Sequence, residues 1–216
     1  MNRFFSIGLL VFSCTLAANF PASAFTVIKN VNTGQPPVEK LVIFDKTRGA
    51  ANKVVLVSNA APIAINADGA IQIDIMGNAK ASPEINWKAD GALGETFDAT
   101  QYNFLMLTCH MEGKTVSTDP ISGKTRDLPA KGNMYYAAVL KDKDDQSVGY
   151  ANLADVSEDG NTPLTAATLP IPMVLFYKGS PADPHHVKGI AFPWGTTHPE
   201  MSRDLHIIID KIALAE

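Results

Sequence analysis

Hydrophobic and polar residues along this chain alternate in short bursts. Ile71, Ile73 and Ile75 fall on one side of the run Ala70–Met76, with Gln72 and Asp74 on the other. A period of two places alternate side chains on opposite faces, so this run predicts a half-buried strand. Leu41–Phe44 and Lys53–Ser58 are rich in β-branched residues, and Ile85-Asn86-Trp87-Lys88 alternates again. Tyr102–Met111 is apolar on both parities with His110 its one strongly polar member, the pattern of a central strand covered on both sides. Met134–Leu140, Met173–Tyr177, Lys188–Phe192 and Leu205–Leu214 complete the predicted strands. Asp68-Gly69, Asp90-Gly91, Glu112-Gly113, Ser122-Gly123, Asp159-Gly160 and Lys178-Gly179 punctuate them as turn signals, because glycine takes positive φ without a Cβ clash. Gln35-Pro36-Pro37 and Leu169-Pro170-Ile171-Pro172 read as connections, and Asp127–Gly132 and Glu158–Thr168 as exposed loops. No amphipathic helical period extends beyond about two turns. Many short strands with glycine and proline between them predict an all-β, antiparallel sandwich of jelly-roll type.

The N-terminus has a different pattern. Met1–Arg3 is a short cationic start, Phe4–Ala18 is apolar, and Pro21-Ala22-Ser23-Ala24 ends in the small residues of an A-x-A site. This predicts a secretory signal over residues 1–24, cleaved between Ala24 and Phe25, and one sandwich domain over 25–216. The apolar run is too short to span a bilayer comfortably, so the mature protein is expected to be periplasmic or secreted, with no membrane contact. Cleavage removes Cys14 and leaves Cys109 alone, so no intrachain disulfide is available. The 216 residues carry a net charge of −4, with no extended basic run, which argues against a nucleic-acid partner.

Several stretches resemble the galactose-binding-like, β-jelly-roll carbohydrate-binding modules. Phe97-Asp98-Ala99-Thr100-Gln101-Tyr102-Asn103-Phe104-Leu105 is similar to their acidic turn, tyrosine and long apolar strand. Ala182-Asp183-Pro184-His185-His186-Val187-Lys188-Gly189-Ile190-Ala191-Phe192 resembles the lead into their penultimate strand. Leu205-His206-Ile207-Ile208-Ile209-Asp210-Lys211-Ile212-Ala213-Leu214 resembles their last one, and the order holds over roughly residues 38–216. The resemblance implies carbohydrate as the partner. It also implies a structural calcium ion tying the first strand to the last, for which Asp45 and Asp210 stand at the matching places. An oxygen-rich site suits calcium. The alternative for Asp210 is a pairing with Lys211 or a backbone amide.

Glycans are gripped by flat rings against their C–H faces and by carboxylates, amides and cationic groups against their hydroxyls. Trp194 lies in a stretch with little apolar company, ahead of His198 and Arg203, and these three form the preferred ligand site. Trp87 shares a face with Ile85, which fits either the core or a ligand contact. Tyr135 and Tyr136 are adjacent in a predicted strand and so face opposite ways, leaving one, Tyr136, as a further candidate.

The motifs of the common hydrolases, zinc peptidases and nucleotide-binding loops are missing from the sequence. Cys109 and His110 are neighbours in a strand and point apart, so they make no nucleophile–base pair, and Cys109 is expected to be an inert core thiol. His206 shares its parity with Asp210 and is expected to bond it. His185 or His186, in a turn, is placed to join Asp183 and His198 at a metal. Asp90, Glu95, Asp98, Glu112, Asp119 and Asp183 supply acids, but no spacing selects the pair a glycosidase needs. The reading is a non-catalytic, lectin-like protein. The alternatives are a polysaccharide hydrolase or lyase on the same scaffold, and an exported protein-interaction module.

Overall fold

The computed structural model describes residues 37–51, 53–76, 81–88, 90–91, 93–119, 121–129, 137–156, 163–176, 182–193 and 201–216. Its strands in chain order are β1 (Glu39–Asp45), β2 (Val54–Val57), β3 (Ile63–Ile65), β4 (Ile71–Met76), β5 (Glu84–Trp87) and β6 (Phe104–Thr118), followed by β7 (Thr125–Pro129), β8 (Ala137–Asp142), β9 (Ser147–Asn152), β10 (Ala167–Pro172), β11 (Val187–Ala191) and β12 (Met201–Ala215). Single 3-10 turns fill several of the connections. The strands form two antiparallel sheets, one of seven strands and one of five in the order β2-β5-β11-β8-β9. The fold is an all-β jelly-roll sandwich, as the alternation predicts. Among the described residues no helix is long and apolar enough to cross a membrane.

The seven-stranded sheet is built on the ribbon of β6 and β12, paired from Met201 opposite Ser117 to Ala215 opposite Phe104. Each edge of that ribbon is shared by two strands. Along β12, β4 takes Asp204–Ile209 and β1 takes Lys211–Ala215. Along β6, β10 takes Phe104–Cys109 and β7 takes Lys114–Thr118. Asp210 therefore sits where β12 passes from one neighbour to the next, at a register shift between Ile209 and Lys211. An extra residue there swaps the parity of everything beyond it. Ile207 and Ile209 face the core upstream, and Ile212 and Leu214 face it downstream.

The core lies between the sheets. Leu105, Leu107, Cys109 and Met111 of β6 meet Ile85 and Trp87 of β5, Leu140 of β8 and Ile190 of β11, with Phe44, Phe176 and Phe192 closing its margins. Fully burying an Ile, Leu or Phe side chain contributes about 1.5–3 kcal/mol, so this layer holds the sandwich together without a disulfide. Cys109 is free and buried, and burial pushes its thiol up to about 12. It is a core thiol. At Gly149 a Cβ would overlap the Phe176 carbonyl oxygen, so only glycine lets the Met173–Phe176 turn approach β9.

Four local expectations are corrected. Leu169–Pro172 is not a connection but part of β10, which among the described residues pairs with β6 alone and ends its sheet; an edge strand tolerates proline because a ladder partner is missing on its outer side. Glu112-Gly113 is not a turn: β6 runs through it, with Gly113 opposite Leu205 at φ +98°. Met173–Phe176 is a 3-10 turn rather than a strand. Asp127–Pro129 belongs to β7, and the hairpin turn lies earlier, around Ser122-Gly123.

Candidate functional site

The outer face of the seven-stranded sheet changes character along its length. Next to β1 it is apolar: Met106, Ala213 and Ala215 are buried against each other, with Val42 and Phe104 packed on them. Toward the other end, strand alternation brings out polar side chains. Asp74 on β4 and Glu112 on β6 stand opposite His206 of β12 from its two sides, and Gln72 and His110 stand likewise opposite Ile208. Thr108 and Thr168 pair next to them through their hydroxyls at 2.8 Å.

Asp74 organises this row. Its Oδ1 lies 2.7 Å from His206 Nδ1 and accepts from Gln72 Nε2 at 2.7 Å. With the Nδ1 proton directed at the carboxylate, the opposite ring nitrogen, Nε2, is the one that accepts when the imidazole is neutral. His110 Nε2 is 3.1 Å from Glu112 Oε1, while its Nδ1 is buried and meets no hydrogen-bond partner among the described residues. A buried polar atom left unmatched is costly. Ile208, only 5% exposed, forms an apolar floor between Gln72 and His110. Donors and acceptors fixed by each other around a small apolar surface suit a polyhydroxylated ligand. The Asp74–His206 pair is also the kind that orients an imidazole as a base.

The candidates read from sequence fall in several places. Trp194, His198 and Tyr136 lie outside the described residues, and of Arg203 the structure describes the backbone, on β12 opposite Thr115. Trp87 is a core residue, 6% exposed, which corrects its place among the ligand contacts. Its indole N–H donates to the Val187 carbonyl at 3.2 Å and its ring lies 6.0 Å from Phe97, as befits a core residue. His206 bonds Asp74 rather than Asp210, because the irregularity at Asp210 breaks the parity the sequence suggests. The row itself was missed apart from Gln72 and Asp74, read as the polar side of a strand. The signal lies in residues 72, 74, 110 and 206, the polar members of otherwise apolar runs.

Asp45 and Asp210 stand at the junction of the first and last strands. Asp45 ends β1 opposite Lys211. Its Oδ1 accepts from the Thr47 hydroxyl at 2.6 Å and the Thr47 N–H at 2.9 Å, and these bonds, with Lys211 and Arg48 nearby, hold its carboxyl below the usual range against the opposing effect of burial. Asp210, 8% exposed, has the Lys46 ammonium 2.9 Å from its Oδ1. Among the described residues no group of three or more His, Cys, Asp or Glu side chains is arranged to hold a metal ion.

The loops at one end of the sandwich hold another cluster. Buried Asp142 accepts from the backbone N–H groups of Asp144, Gln146 and Asp183. Burial raises its carboxyl, yet these three donors prevail and keep it below the ordinary value. His185 pairs with Asp98 at 3.1 Å and His186 with Asp183 at 2.6 Å, while His198, the third member of the expected metal group, lies outside the described residues. Asp98 caps the short turn after it. Its carboxyl is lowered to about 2, chiefly by the Thr100 hydroxyl, with burial opposing and His185 assisting. This cluster fastens loops.

No family model matches the chain, and no curated protein does either. Solved structures do. A β-1,2-glucanase from Parabacteroides distasonis matches at a TM-score of 0.50 and 14% identity, over 82% of this chain and 25% of its own. The family 11 carbohydrate-binding module of a cellulosomal cellulase of Clostridium thermocellum matches at 0.46 and 9%, over 84% and 97%. A family 29 carbohydrate-binding module matches at 0.40 and 11%, over 81% and 89%. At such identities the likeness is one of fold.

Proposed function

We propose that this chain is an exported protein that binds carbohydrate, without turning it over, on the outer face of its seven-stranded sheet. The observation that carries the reading is the fixed polar row: Asp74 clamps Gln72 and His206, and His110 pairs with Glu112 beside them. Hydroxyl groups in pairs, each both donor and acceptor, match such a row, and Ile208 gives the sugar's C–H face something to rest on. Trp194, His198 and Arg203 enter the proposal through chain order, since residues 194–200 lead directly into the strand that carries His206. Export rests on the leader-like pattern of residues 1–24.

The test is affinity electrophoresis of the mature chain through gels containing soluble β-glucans, xylans or mannans, with reducing ends assayed in parallel. Retardation in one glycan class is expected, weakened about 10–100-fold in His206→Ala, the loss of a hydrogen bond to a charge-supported group. It is expected to weaken in Trp194→Ala too, and no sugar should be released. Migration unaffected by every glycan would sink the binding reading. Steady release of reducing ends, abolished by Asp74→Asn, would replace it with the hydrolase reading, for which the Asp74–His206 pair facing Glu112 is the supporting geometry.

A further inference from the structure

Where the family that this sequence resembles places calcium, between first and last strand, the chain brings a lysine of its own. Lys46 follows β1 directly, and its ammonium lies 2.9 Å from Asp210 Oδ1. Asp210, Asp68 and Asp45 all act to keep the Lys46 proton in place, the Asp210 hydrogen bond most strongly. The same seam holds two more pairs of this kind. Lys211 of β12 reaches Glu39 of β1 at 2.6 and 2.8 Å, and Lys40 of β1 reaches Glu216 beyond the end of β12 at 3.0 Å. The acids at this seam thus face ammonium groups, and Asp45 also has the Thr47 donors and Arg48 beside it. Calcium takes six to eight oxygen ligands, and here it would have to enter against the Lys46 charge to reach Asp210.

We propose that Lys46 is the resident cation of this seam and that the chain closes its sandwich without calcium. The lysine sets a positive charge against the mostly buried Asp210 and ties the segment after β1 to the last strand, the structural task of a divalent ion. It does so at one unit of charge, which matches the single deeply placed carboxylate.

Thermal melting of the full mature chain, followed by circular dichroism, tests this in two arms. In the first, the wild type is melted in excess chelator and in millimolar calcium. Its Tm should be the same in both. A Tm that falls with chelator or rises with calcium overturns the proposal, as does heat of calcium binding in a titration of the chelator-stripped protein. In the second arm, Lys46→Met should lower the Tm by about 5 °C or more, and Lys46→Arg, which keeps the charge, should recover most of that loss. A Lys46→Met protein that melts with the wild type also overturns it. If Lys46→Met fails to fold, Lys46→Arg and the chelator arm still decide the matter. Glycan binding plays no part in either arm.

Discussion

The two halves of β12 make the same kind of core contact and treat their outward charges in opposite ways. Before Asp210, the strand lies against β4 and presents His206 to a carboxylate that also holds Gln72. After Asp210, it lies against β1, its outward alanines are buried under Met106, and its neighbouring acids face lysines. The first arrangement holds partly exposed polar groups in position on the outer face. The second sets its acids against lysines of the same seam. A polar outer face and a closed seam share one strand because a single extra residue lets its two halves show different parities outward.

The comparison requires that the core side be equal in both halves, and this is where the largest effects are expected. Ile207→Ala upstream and Leu214→Ala downstream each remove a side chain of 0–1% exposure and should each cost about 2–5 kcal/mol in urea unfolding. If Ile207→Ala cost a small fraction of Leu214→Ala, the upstream half would be a peripheral flap and not a core strand.

How far these features could be read from the sequence depends on which interaction decides each one. β4 was legible because Ile71-Gln72-Ile73-Asp74 carries its burial in its own alternation, and the C-terminal part of β12 because Ile207–Leu214 is a nearly continuous apolar run. β10 was not, because its place at an edge, which excuses Pro170 and Pro172, is a property of the sheet. Glu112-Gly113 imitates a turn, and only its pairing with β12 shows that β6 continues. Among candidate site residues, Trp87 shares its face with Ile85 and its burial was half visible. The partnership of Asp74 with His206 joins residues 132 positions apart, and no local pattern reports it.

A smaller effect separates the closure side. Asp210→Asn keeps the shape and removes the charge, and should cost about 1–3 kcal/mol, the range for a hydrogen bond to a charged group. It should also alter the alkaline limb. The Lys46 proton is held above its ordinary 10.5, first by the Asp210 hydrogen bond, so this contribution is fully present below pH 10.5 and lost as pH rises through the folded value. The wild type should therefore lose stability at high pH more steeply than Asp210→Asn. Parallel alkaline curves would remove Asp210 as the main partner of Lys46. On the recognition side, His206→Ala should cost under about 1 kcal/mol in stability, as a partly exposed pair does, while weakening glycan retention.

The smallest effect belongs to the pair at the open end of the seam. Lys40 and Glu216 meet at 3.0 Å with their side chains 46% and 57% exposed. Exposed ion pairs give up most of their Coulomb energy to solvent and to side-chain ordering, so Lys40→Ala should change stability by about 0.5 kcal/mol or less. The backbone ladder continues past it, with Val38 and Glu216 exchanging both N–H···O bonds at 3.2 Å, and it holds that end of the strands without the side chains. Lys46→Met, one pair deeper along the same seam, should exceed Lys40→Ala several-fold because Asp210 is shielded from water and Glu216 is not. If the two substitutions cost the same, burial would not be what sets the strength of this seam. Lys46 would then be one more surface lysine, and closure would rest on the backbone ladder and the core alone.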